Sequence, residues 1–195
     1  MNRTSNISRS TKETSIELRL DISGGGIAVD TGIGFFDHML DGFARHGLYD
    51  LTVKTAGDLE VDCHHTIEDT GIVLGQCIAQ ALGDKKGIRR YGNFMLPMDE
   101  TLILAAVDLS GRPYLNFEAV FTVDRLGDMD TEMIREFFYA VSYSAGMNIH
   151  LKMIDGINNH HIAEALFKGF GKAMAMAVSA EPRLNEAVWS TKGSL

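Results

Sequence analysis

"HHTIEDTGIVLGQCIAQAL" at 64–82 and "HHIAEALFKGFGKAMAMAV" at 160–178 decide how this chain is organised. Each opens on adjacent histidines, carries a Glu three residues after the second, and continues as a helix-like apolar stretch. A shift of 96 residues lays His64 on His160, His65 on His161 and Glu68 on Glu164. It also lays Gly75 on Gly171, Ala79 on Ala175 and Ala81 on Ala177. Self-similarity at a fixed offset marks an internal duplication. Two fainter echoes lie at other offsets: "LDISGGG" (20–26) with "VDLSGRP" (107–113), 87 apart, and "FFDHML" (35–40) with "EFFYAV" (136–141), whose Phe pairs are 102 apart.

Working outward, the element order repeats too. "SIELRLDI" alternates, with Ile16, Leu18, Leu20 and Ile22 on one face of a strand. "GGG" turns into a short strand at "IAVD", "FFDHMLDGFARHG" reads as a helix closed by Gly47, and "LYDLTVKT" is a strand. The first His-pair helix follows. The second half gives strands at "TLILAAVDL" and "PYLNFEAVF", a helix at "DTEMIREFFYAVSYSAG", a strand at "NIHLKMI" and the second His-pair helix. The expected fold is α+β, a duplicated ββαβα unit forming mixed sheets with helices on one face. Residues 1–92 carry the first HHxxE motif, and 93–195 carry the second together with the C-terminal tail. A unit of that size is small for an independent core, so the halves should pack together. Gly71, Gly75 and Ala79, and Gly171 and Ala175, recur at four-residue spacing and predict close helix packing.

Composition excludes several classes. The net charge of −8 argues against a nucleic-acid binder. No apolar run approaches the ~18 residues of a membrane span, so no membrane partner is expected. "MNRTSNISRSTKET" lacks the apolar core of a signal peptide, and two cysteines make no disulfide framework, so a cytoplasmic location is expected.

On a helix, Glu68 is a turn away from both His64 and His65, and Glu164 likewise from His160 and His161. Imidazole and carboxylate are ligands for a divalent transition ion, and such sites accept zinc or iron. Adjacent histidines diverge by ~100°, so one pair cannot enclose one ion. Two ions are expected, each bound by groups from both halves or from neighbouring subunits. His38 in "FFDHML" is a further candidate ligand, with Glu136 its counterpart beside the second "FF". His46 and His150 have no matching partner in the other half and are assigned structural roles, and Cys63, with Asn159 in the matching place, is not expected to be a ligand. Asp62 and "INN" are helix-capping residues that put the pairs in the first turn. A basic set, Arg89, Arg90, Arg112, Lys168 and Lys192 with Ser190, suits a phosphate. Lys168 lies two turns beyond His161, which predicts a cation ~10 Å from the metals.

At these residues the chain resembles the imidazoleglycerol-phosphate dehydratase family. The likeness runs through "STKETSIEL", "GIGFFDHMLDGFARHGLYDL", "DCHHTIEDTGIVLG", "KGIRRYGNFMLPMDE", "DLSGRPYL" and "NNHHIAEALFKGFGKA" to "STKG". The resemblance implies a duplicated fold of the kind called ribosomal protein S5 domain 2-like, assembled into homo-oligomeric shells of twenty-four subunits. It implies two manganese ions (Mn2+) per active site, held between subunits. Their ligands fall on His38, His64, His65, Glu68, Glu136, His160, His161 and Glu164, with Glu136 standing where many members have His. Phosphate-binding groups fall on Arg90, Arg112, Lys168, Ser190 and Lys192, and the catalytic Glu on Glu13. Gly42 stands where members often have Gln. The implied activity is a carbon–oxygen lyase of histidine biosynthesis that dehydrates imidazole glycerol phosphate to imidazole acetol phosphate. Glu13 would act as acid/base with Glu164 sharing proton work and Asp99 a secondary candidate. Two rivals are weighed against it. A di-iron carboxylate protein uses Glu-x-x-His on long bundle helices, the reverse order. A non-catalytic metal-storing shell leaves the basic set without a purpose.

Overall fold

The computed structural model describes residues 3–195. The first half runs β1 (Thr4–Ser10), β2 (Thr14–Asp21), β3 (Ile27–Asp30), α1 (Gly34–Gly47), β4 (Asp50–Gly57) and α2 (His64–Leu82). The second runs β5 (Tyr91–Met98), β6 (Thr101–Asp108), β7 (Tyr114–Glu118), a small hairpin of β8 (Arg125–Leu126) and β9 (Met129–Asp130), α3 (Glu132–Ala145), β10 (Asn148–Asp155) and α4 (Asn159–Val178). A 3-10 turn at Pro182–Leu184 leads into the tail.

The duplication is plain in the sheets. One has the order β1-β2-β4-β3, the other β5-β6-β10-β7. In each, one pair is parallel, β3 with β4 and β7 with β10, because a helix carries the chain across between them. The fold is α+β, as the sequence led one to expect, and each ββαβα unit is preceded by one more strand. β1 escaped the sequence reading because it is an edge strand of Ser, Thr and Asn around Ile7 and Arg9, with no apolar alternation. β5 escaped because Gly92 and Pro97 interrupt it. Gly92 is required there, since a Cβ would overlap the Ala173 carbonyl of α4.

Each sheet buries one face under its own helices, as the alternating burial of β2 and β6 records. The two helix layers then meet, α2 against α3 and α1 against α4, and one continuous apolar core joins both halves. The echoed "FF" pairs are part of that core. Phe36 meets Phe137 edge to face at 5.3 Å, and Phe137 and Phe138 pack on Phe167 at 5.1 and 4.9 Å.

The small residues permit the close crossings. A Cβ on Gly75 would stand 2.7 Å from Val141 O and Ser144 Cβ of α3, and one on Gly71 would stand 2.9 Å from Phe137 O. Gly47 does not close α1 as expected. Leu48 takes the left-handed turn at φ 60°, and Gly47 is needed because a Cβ would enter the Tyr49 ring.

Candidate metal centre and anion pocket

The crossing of α1 and α4 carries the first constellation. The Asn158 side chain caps α4 by accepting the N–H groups of His160 and His161, at 2.9 and 3.3 Å. Asp62 does similar work for α2, accepting the His64 N–H at 2.7 Å. Both pairs therefore sit in an open first turn. His160 Nε2 lies 3.3 Å from Glu164 Oε2, and His38 Nε2, from α1, lies 3.6 Å from Glu164 Oε1. His38, His160 and Glu164 each offer a ligand atom, and these lie within 4.8 Å of one another; among the described residues no other such trio occurs. Two imidazole nitrogens and a carboxylate oxygen form a donor set that fits manganese, iron or zinc.

Lys168 belongs to this cluster. Its Nζ is 2.7 Å from Glu164 Oε1, one turn back on the same helix. The expected ~10 Å offset counted only backbone rise, whereas the side chain folds back. Burial alone would raise the Glu164 carboxyl. Lys168, with His38 and His160, outweighs it and holds the group below its ordinary value. Further along the same crossing, half-buried His46 is pushed down by burial and by Lys168 and Lys172.

The second histidine of each pair points elsewhere. The ring centroids of His64 and His65 stand 6.0 Å apart and those of His160 and His161 6.4 Å, and the two rings of each pair reach different partners. The His65 Nδ1–H donates to Asp58, 3.0 and 3.2 Å from its two oxygens, while Nε2 is 3.9 Å from Glu13 Oε1 in the β1–β2 loop. The His161 Nδ1–H donates to Glu100 Oε2 at 2.8 Å, while Nε2 is 3.9 Å from Asp99 Oδ2 in the β5–β6 turn. A carboxylate only accepts, which fixes the donor as Nδ1–H. Asp58 raises the pKa of His65, and Glu100 raises that of His161. Glu100 itself is held down at about 2 by His161 and the Asn158 N–H.

His64 reaches Glu68 on its own helix at 3.6 Å. Glu136 lies on α3 and pairs with Arg135 at 2.7 Å; it completes no three-ligand group with His64 and Glu68 among the described residues. Cys63 is buried with its thiol against Asp130, and burial pushes its pKa up. His150 lies on β10 against Tyr114.

Arg90, Arg112, Ser190 and Lys192 come together, with Tyr91 and Trp189, around a pocket of about 310 Å³. Arg90 is buried at φ 66°. It gives Nε and Nη2 to Asp108 at 2.7 and 3.1 Å, and Nη1 to Trp189 O at 2.8 Å. Three of its five N–H groups are thereby spent on building the pocket wall, leaving two for an anion. Arg89 faces away, toward Glu181.

The two constellations lie at opposite ends of α4. The Arg90 N–H binds Ala177 O in the last turn, and His160 is in the first. At ~1.5 Å per residue they stand ~25 Å apart along the axis. Sequence reasoning missed Asp58, Glu100, Asp108 and Trp189. Asp58, just ahead of the first pair, was the one whose position alone could have flagged it; Glu100 is 61 residues from its histidine.

The family model described as imidazoleglycerol-phosphate dehydratase matches residues 31–174. The imidazoleglycerol-phosphate dehydratase of Lachnoclostridium phytofermentans is 64% identical over all of both chains, and that of Acetivibrio thermocellus is 56% identical over all of both. The crystal structure of the Staphylococcus aureus protein superposes with a TM-score of 0.84 at 38% identity, covering 91% of this chain and 99% of that one. The Pyrococcus furiosus IGPD structure gives 0.84 at 36% identity, covering 97% and 100%.

Proposed function

The chain belongs to the imidazoleglycerol-phosphate dehydratase family, a hydro-lyase of histidine biosynthesis, and from that premise we propose that it dehydrates imidazole glycerol phosphate to imidazole acetol phosphate with two manganese ions. The observation that carries the rest is that the His38–His160–Glu164 cluster and the Arg90–Arg112–Ser190–Lys192 pocket sit at opposite ends of α4, their backbone anchors His160 and Ala177 ~25 Å apart along the axis. An imidazole joined to a phosphate through three carbons spans less than ~10 Å at ~1.5 Å per bond. One protomer cannot hold both ends of it in these two places. The active site is therefore shared between subunits of a homo-oligomer, a shell of twenty-four by the resemblance noted above.

His38, His160 and Glu164 would hold one ion within the protomer. His64 and Glu68 begin the second ligand set, with Glu136 on the helix packed against them. His65 and His161 would complete the sets of adjoining subunits. When bound, manganese supplies Lewis acidity that keeps the substrate ring anionic. The chain's own groups do the remainder. Arg90, Arg112, Ser190 and Lys192 fix the phosphate, so that binding energy orients the reacting carbons. Lys168, a cation beside the metal ligands, reaches the substrate from the other side. The carbon next to the ring loses its hydroxyl as water, and its neighbour loses a proton. The resulting enol becomes the ketone. Glu13, exposed in the β1–β2 loop beside His65, is the acid/base group, and Glu164 shares the proton work.

The test is metal content, particle size and turnover of imidazole glycerol phosphate on one sample, before and after exhaustive chelation. Loss of turnover and a smaller sedimentation coefficient, both restored by Mn2+, are expected. Full turnover in metal-free protein would overturn the metal reading, and an unchanged particle would overturn the interfacial one.

A further inference from the structure

The outward-facing histidine of each pair is held through Nδ1 by a carboxylate, and the two halves take that carboxylate from unrelated places. Asp58 comes from the segment between β4 and α2, seven residues before His65. Glu100 comes from the β5–β6 turn, 61 residues before His161. The 96-residue shift that superposes the pairs lays Asp58 on Ile154, and the 87-residue offset that superposes the Asp-x-Ser-Gly strands lays Glu13, not Asp58, on Glu100. The contact is therefore not a shared remnant of the duplication. Two non-equivalent residues make it at two equivalent histidines.

We propose that Asp58 and Glu100 are positioning residues that set the tautomer and ring orientation of His65 and His161 for metal binding; this rests on the metal reading above. An imidazole that donates through Nδ1–H carries its lone pair on Nε2. In both halves that nitrogen is turned away from its own protomer's cluster, toward Glu13 in one hairpin loop and Asp99 in the other. A free imidazole would divide between tautomers and rotate about its side-chain bonds. A partner hydrogen-bonded to the non-ligating nitrogen removes both freedoms, which is worth about ten- to hundredfold in metal affinity.

Glu100 is also fixed in place. Its Oε1 accepts the N–H of Asn158 at 2.7 Å, the N–H of Ile157 at 3.3 Å and the Thr101 hydroxyl at 3.1 Å, while Oε2 takes His161. Both oxygens are thus acceptors, and a glutamine, with one, must abandon either the backbone or the imidazole. Asp58 is simpler: among the described residues its carboxylate bonds only His65.

The experiment is Mn2+ affinity of the full chain, by calorimetry and by the electron paramagnetic resonance of free Mn2+. It is run for wild type, Glu100→Gln, Asp58→Ala, Asp58→Asn and, as a charge control, Asp155→Asn, whose carboxylate accepts the Gly156 N–H. Glu100→Gln and Asp58→Ala should each lose about ten- to hundredfold in affinity while the metal-free chain remains folded. Asp58→Asn keeps an acceptor and should recover most of the loss, and Asp155→Asn should stay within twofold. Wild-type affinity in folded Asp58→Ala overturns the proposal, as does an equal loss in Asp155→Asn. Should Glu100→Gln not fold, the Asp58 pair decides alone. Wild-type protein that binds no Mn2+ brings down the metal reading itself, a result distinct from either.

Discussion

Alanine at Gly171 sets helix propensity against packing. Glycine costs ~1 kcal/mol relative to alanine inside a helix, so on propensity alone Gly171→Ala would stabilise the protein. The crossing of α4 on α1 forbids it. A Cβ there would lie closer than 3.0 Å to Phe43 O, 3.2 Å from Gly47 N and 3.3 Å from Phe43 C. These atoms are all backbone, and no rotamer change relieves them. Overpacking costs ~1–3 kcal/mol, and contacts with rigid backbone place this case near 3, leaving a net loss of about 2 kcal/mol after the propensity gain. Gly169, two residues earlier on the same helix, is the control. Its Cβ would make an ordinary contact at 3.4 Å with Ala105, so Gly169→Ala keeps its propensity gain of up to ~1 kcal/mol. The two variants should differ by about 3 kcal/mol, or ~6–12 °C in midpoint for a chain of this size. Thermal unfolding followed by circular dichroism, with chelator and at matched protomer concentration, measures it. Because α1 carries His38, Gly171→Ala should also bind Mn2+ less tightly. A midpoint for Gly171→Ala equal to or above that of Gly169→Ala would refute the packing argument.

Glu13→Gln should keep its metal and its assembly while losing about 10²- to 10⁴-fold in turnover, the usual range for a general acid–base group; undiminished turnover would remove Glu13 from the chemistry. Lys168→Ala should raise the KM for imidazole glycerol phosphate strongly, and an unchanged KM with weakened metal binding would confine Lys168 to its contact with Glu164. The Glu181 carboxylate, bonded by Arg183 Nε at 2.6 Å and Nη2 at 2.8 Å, is held down at about 2 from an ordinary 4.5. A depressed acid stabilises the fold above its unfolded pKa and loses that contribution as pH falls toward the folded one. Glu181→Gln should therefore flatten the loss of urea-unfolding midpoint between pH 4.5 and about 2, and a profile parallel to wild type would assign Glu181 no part in it.

The parts of the fold that were legible in the sequence are those with periodic burial. Ile16, Leu18 and Leu20 alternate because one face of β2 meets α2, and that alternation is visible in a single strand. The His-pair helices were legible because a five-residue device recurred at one offset. β1 was not, since a polar edge strand is defined by its neighbour β2 and not by its own residues. The candidate ligands on one helix, His160 and Glu164, followed from spacing alone. That His38 meets them, and that Lys168 folds back onto Glu164, depends on how α1 crosses α4. Glu136 had only its place beside "FF" to recommend it, and in the protomer its carboxylate is taken by Arg135. The shared Asp-x-Ser-Gly turns likewise diverge in use. Asp108 grips Arg90 beneath the anion pocket, while Asp21 bonds Thr4 and the Ser23 N–H.

The pairing of helices gives the duplication a chemical consequence. Each His-pair helix lies against a helix of the other half, α2 on α3 and α4 on α1. The cluster at the second crossing takes His38 from the first half and His160 and Glu164 from the second. Neither half alone could assemble it. The same helix that ends in the metal cluster ends, ~25 Å away, at the wall of the anion pocket, where Arg90 binds Ala177 O. A rigid rod of that length keeps the two subsites of one chain apart at every moment. On the proposed function, a substrate shorter than the rod would bridge two chains, its ring on one and its phosphate on another. Assembly is in that case a condition of binding. Dilution or metal removal that dissociates the particle should abolish substrate binding and turnover together, even though every residue named here is still folded.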